Sequence, residues 1–85
     1  MRKVRYSRQA TKMLQRMPAD TAWLIRGKME QYAAEPESLA NNVKAMQGRP
    51  GYHRLRVGDW RVIFAETMEI VDVERVAPRG GAYGE

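Results

Sequence analysis

The sequence predicts an α+β fold: a small, predominantly antiparallel four-stranded sheet with an N-terminal helical hairpin, in the order β-α-α-β-β-β. Three observations predict it. Apolar residues recur every three to four positions between Ala10 and Tyr32. They alternate with polar ones in the first residues and again from Tyr52 onward, and the later alternating runs are joined by turns too short for a crossover. Eighty-five residues make a single domain, 1–85, with room for one modest core.

Met1 to Tyr6 alternates Val4 and Tyr6 with Lys3 and Arg5, as a half-covered strand does. Ser7 offers a hydroxyl to cap a helix in which Ala10, Met13, Leu14 and Met17 form the apolar stripe. Pro18 stops that helix. Asp20 or Thr21 is placed to cap a second one, whose apolar positions are Ala22, Ile25, Met29 and Tyr32. Methionines at this spacing read as core filling rather than as a ligand stripe. Gly27 costs about 1 kcal/mol relative to alanine inside a helix, which fits either close packing or simple tolerance. Glu35-Pro36 ends the second helix. Pro36 to Gly51 reads as a loop with one helical turn, anchored by Leu39, Val43 and Met46.

Gly51 to Phe64 then reads as two strands joined at Gly58-Asp59. Successive strand residues face opposite sides, so Leu55 and Val57 point one way and Tyr52, Arg54 and Arg56 the other. Trp60, Val62 and Phe64 share the parity that suits a core, which leaves Arg61 on the other surface. Glu66 to Glu69 forms a turn, and Ile70 to Val76 is a fourth strand whose alternation does not decide its buried face. Pro78 ends it, and a glycine-rich tail carries Arg79 and Tyr83. With the helices on one face of the sheet, Arg54, Arg56 and Arg61 are expected on the exposed face.

A hydrophobic content of 44% and a charged content of 29% are those of an ordinary folded domain. Fifteen Lys and Arg against ten Asp and Glu give +5 and a pI near 10.0, which suits nucleic acid or an acidic protein partner. With no cysteine there is no disulfide framework, thiolate nucleophile or zinc–cysteine site, which favours the cytosol. One histidine makes no metal cluster, and no cofactor is implied. No run of about 18 apolar residues and no signal-peptide core is present, so neither membrane spanning nor export is expected.

The chemistry concentrates between Lys44 and Arg61, where Lys44, Arg49, Arg54, Arg56 and Arg61 face only one acid, Asp59. Such a cluster supplies phosphate contacts, and Tyr52 and Trp60 can stack a base. A solvated strand face with both aromatics in the core stands open beside that reading. His53 is the natural acid–base residue, but its parity sets it with Leu55 and Val57, so a structural role is expected. Asp59 suits a turn, and no serine–histidine–carboxylate set can be assembled.

The stretch GRPGYHRLRVGDWRVIF, followed by VERVAPRGGAY, resembles the toxins of bacterial type II toxin–antitoxin modules, the RelE/ParE superfamily. The resemblance covers nearly the whole chain, and the paired arginines around Leu55, the GDWRVIF strand and the terminal arginine–tyrosine pair are its most specific parts. It implies a RelE-like fold. RelE-like members are ribosome-dependent endoribonucleases that cut messenger RNA, whereas ParE-like members poison DNA gyrase and generally lack the catalytic set. Arg54, Arg56, Arg61, Arg79 and Tyr83 match that set, which selects the ribonuclease branch. The implied reaction is attack of a ribose 2′-hydroxyl on its own phosphate, with Arg54 and Arg61 on the phosphate, Arg79 at the leaving oxygen and Tyr83 against the substrate. Lys44 and Arg49 are expected to bind RNA nearby. Arg56 stands where some members carry lysine, and a guanidinium does not serve as a general base. The implied partners are a cognate antitoxin, the ribosome and its message, with operator DNA only through the antitoxin complex. The alternatives are a gyrase inhibitor and a non-catalytic module that binds antitoxin and operator.

Overall fold

One mixed sheet organises the chain, with its strands in the order β1-β5-β4-β3-β2. The computed structural model describes residues 2–80. The strands are β1 (Lys3–Tyr6), β2 (Val43–Ala45), β3 (Tyr52–Val57), β4 (Trp60–Glu66) and β5 (Ile70–Pro78); α1 (Arg8–Arg16), α2 (Ala19–Ala34) and a 3-10 helix (Pro36–Asn42) lie between β1 and β2. Among the described strands only the β1–β5 pair is parallel. The sheet thus has five strands where the sequence predicts four. The extra one, β2, lies inside the expected loop: three residues at a sheet edge, with only Val43 half-buried, carry too little alternation to be seen.

The helices form as their sequences require. The Ser7 hydroxyl accepts from the Ala10 amide 3.1 Å away and also donates to the Glu74 carbonyl, so it both caps α1 and ties that helix to β5. Met17 closes α1, and Pro18, rather than Asp20 or Thr21, occupies the cap position of α2. Asp20 lies inside the first turn, accepting from the Thr21 amide, where its charge complements the helix dipole. Gly27 is exposed, and a Cβ built there meets nothing within 4 Å, so tolerance and not close packing accounts for it. Gly27→Ala is accordingly expected to stabilise the fold by about 0.5–1 kcal/mol, read as a higher urea midpoint with an unchanged slope.

Ala10, Leu14, Ile25 and Met29 pack onto Leu55, Val62, Phe64, Val71, Val73 and Val76 in one core between helices and sheet. The ambiguous alternation of β5 has a simple cause. Between the pairs Phe64–Val73 and Ile63–Arg75 the strand carries one extra residue, Glu74. This bulge shifts the phase, so that Val71, Val73 and Val76 all reach the core although their spacing breaks the period of two. No described helix is long and apolar enough to cross a membrane.

A polar network closes one end of the core. Arg2 donates to the Tyr32 and Ala33 carbonyls in the last turn of α2 and forms an ion pair with Glu66 at the end of β4. The Tyr32 hydroxyl donates to the other Glu66 oxygen at 2.6 Å. His53 lies beside them, stacked on Phe64 with ring centroids 5.5 Å apart and its Nδ1 3.7 Å from Glu66. It therefore belongs to the helix-covered face, as its parity predicts.

Candidate active site

The β3–β4 hairpin turns in two residues. Gly58 takes a φ of +57° while no non-glycine residue among those described has positive φ, the pattern of a II′ turn. That tight turn fixes the register: Val57 pairs with Trp60, Arg56 with Arg61, and Arg54 with Ile63. All three arginines consequently share the sheet face turned away from the helices. Arg56 and Arg61 stand directly opposite one another, which brings two like charges together across the hairpin.

The three arginines line one recess of about 220 Å³, together with Lys44 of β2 and with Asn41 and Asn42 at the end of the 3-10 helix. Among the described residues that line it, none is acidic. Arg56 is exposed and Arg54 half-buried. Arg61 departs from the expectation of an exposed face: it is 7% accessible, and its Nη1 donates to the Gly58 carbonyl at 2.9 Å and the Trp60 carbonyl at 3.0 Å. The hairpin turn holds this guanidinium in place. Beyond Lys44 and Arg54 the surface continues into a second recess of about 410 Å³, reaching Gln47.

The remaining predicted residues separate. Arg79 follows β5 directly, and its backbone amide donates to the Asp59 carbonyl at 2.7 Å, which sets it at the hairpin turn next to the Arg61 anchor. Tyr83 lies outside the described residues. Arg49 is not in the recess: it pairs with Glu74 at 2.8 Å and lies over the Tyr52 ring at 4.0 Å. Tyr52, with Met46, Ile63 and Ala77, forms a small apolar cluster on the open face, so its ring is covered by Arg49 rather than presented for stacking. Trp60 packs against the main core. Sequence reasoning passed over Asn41 and Asn42, because nothing in their spacing marks a segment that the β2–β3 pairing alone brings beside the arginines.

This architecture is that of small toxins solved with and without their antitoxins. The chain superposes on RelE in the RelE–RelB complex of Pyrococcus horikoshii OT3 with a TM-score of 0.78 at 24% identity, covering 93% of this chain and 96% of that one. It is similar to the isolated E. coli RelE toxin (TM-score 0.76, 13% identity, 93% and 85% covered) and to E. coli YafQ (TM-score 0.68, 18% identity, 99% and 100% covered). At these identities the likeness is one of fold. No curated protein matches the sequence. Residues 4–83 match the family described as ParE toxin of type II toxin-antitoxin system, parDE, and the chain belongs to that family of toxins.

Proposed function

We propose that this toxin is a ribosome-dependent endoribonuclease. The observation that carries the reading is the basic recess: Arg54, Arg56, Arg61 and Lys44 around one cavity, with two of the arginines in directly opposed register. A site of this kind stabilises a phosphate that gains charge. The ribose 2′-oxygen attacks the adjacent phosphorus, the bond from phosphorus to the 5′-oxygen breaks, and the hydroxyl proton ends on that departing oxygen. The products are a 2′,3′-cyclic phosphate and a 5′-hydroxyl. Arg61 and Arg54 hold the non-bridging oxygens with preorganised donors. Arg79, at the turn, serves the leaving oxygen, and Tyr83 orients the substrate.

None of the arginines is suited to take up the 2′-hydroxyl proton, so the ribosome supplies alignment of the message and the protein supplies charge. The chain acts in the cytoplasm, and a cognate antitoxin, as RelB is to RelE in the solved complexes, neutralises it by covering the basic face. That antitoxin complex is also the route to operator DNA. A second reading, inhibition of DNA gyrase, is favoured by the ParE description of the matching family. Induced expression followed by mapping of message ends separates the two. Codon-phased cuts bearing 5′-hydroxyl ends are the expected result; intact messages with a DNA-damage response would select the gyrase reading.

A further inference from the structure

We propose that Asn41 and Asn42 form a base-reading lip on the arginine recess. With RNA bound, their side-chain amides pair with the edge of the nucleobase flanking the scissile phosphate, with adenine preferred. The inference rests on the nuclease reading above and assigns that site its sequence preference.

Both residues are exposed, yet both line the recess alongside the arginines. Neither does the work that commonly places asparagine at the end of a helix. No described non-glycine residue adopts the left-handed conformation in which asparagine caps a helix, and neither amide makes a hydrogen bond among the described residues. The segment that carries them is nevertheless held firmly. Leu39 is buried at 4% accessibility, the Ser38 hydroxyl bonds back to the Glu35 carbonyl at 2.7 Å and accepts from Gln31 of α2, and Val43 pairs with Leu55 immediately after the lip. Two uncommitted amides are thus fixed at the mouth of a cationic cavity.

Their chemistry differs from that of the floor. A neutral amide adds little to phosphate attraction, whereas its adjacent donor and acceptor complement adenine, which offers an N6 donor beside an N7 acceptor. Guanine offers two acceptors, O6 and N7, on the same edge, and matches an arginine better. The second recess, beyond Lys44 and Arg54, lets the strand run on past the phosphate, so that the flanking nucleotide has somewhere to lie while its base meets the lip.

Message ends mapped in induced cells test this, comparing the parent chain with the Asn41→Ala/Asn42→Ala double variant and with Arg61→Ala. The parent is expected to cut with adenine enriched about fivefold or more at one flanking position, as one bidentate amide–base pair discriminates. In the double variant, cutting at adenine-flanked sites is expected to fall to the level of the other sites, which persists, whereas Arg61→Ala cuts far less at every site. A parent that cuts without base bias, a double variant that keeps the bias, or one that loses all sites equally overturns the lip and leaves the nuclease reading standing. A parent that cuts no message overturns the nuclease reading, and the lip with it.

Discussion

Arg61→Ala is expected to slow message cutting by about 100-fold or more, the usual consequence of removing one preorganised donor from a developing negative charge. Arg61 is the most buried of the recess arginines: it is tethered to two turn carbonyls and opposed across the hairpin by Arg56. Removing it strips donors from the recess and also leaves the Gly58 and Trp60 carbonyls to water. The stability loss from that is about 1–2 kcal/mol, partly offset by relief of the Arg56 repulsion. Activity and folding therefore respond on very different scales. Arg61→Lys sharpens the point, because it keeps the charge but loses the planar fork, and an intermediate rate is expected. Primer-extension counts of cut ends, set beside thermal melts of the same variants, measure both. Cutting by Arg61→Ala within a few-fold of the parent would remove Arg61 from the reaction.

The largest effect on stability is expected at the opposite end of β4. Glu66→Ala leaves the Arg2 guanidinium and the Tyr32 hydroxyl without their shared partner, a loss of about 2–3 kcal/mol. This falls below the value for a fully buried pair because 22% of the Glu66 side chain is accessible. For a chain of this size the melting temperature should fall by about 10–20 °C, which calorimetry measures directly. The pH dependence carries the same signature. Burial pushes the Glu66 carboxyl up, but hydrogen bonds from Tyr32 and Arg2, and the charges of Arg2 and His53, outweigh it and hold the group below its ordinary value of 4.5. The unfolded chain then binds the proton more readily, so this stabilisation is present above about pH 4.5 and is lost as pH falls through the folded value. Tyr32 moves the other way. Burial, then the hydrogen bond and charge of Glu66, raise its phenol above 10.0 against the opposing charge of Arg2, so stability fades as pH rises past that value. Glu66→Gln is expected to flatten the acid limb, and an unchanged limb would show that the carboxylate contributes nothing there.

Local pattern made most of the fold legible. The stripes on α1 and α2, the Gly58-Asp59 turn and the parity that puts Arg54, Arg56 and Arg61 on one face all follow from residues a few positions apart. What stayed hidden depends on distance in the chain or on broken periodicity. The short strand β2 is visible only once β3 is there to pair with it. The β5 bulge at Glu74 defeats a strict period of two. The Arg2–Tyr32–Glu66 network joins three elements that no sequence window contains. The tether of Arg61 to the Gly58 and Trp60 carbonyls is a matter of backbone geometry rather than residue type.

The parallel pairing of β1 with β5 has a bearing on how the chain is made. Lys3 lies beside Ile70 and Tyr6 beside Val73, contacts that span most of the chain, and α1 packs on β5 as well. During synthesis, β1 and the helices emerge long before the strand that receives them. Long-range parallel contacts of this kind also form slowly, because the intervening chain must be closed before they repay it. The sheet therefore seals late, after β5 has left the ribosome. Interrupting synthesis before Ile70 yields a product in which β1 is unpaired and α1 has no strand to rest on.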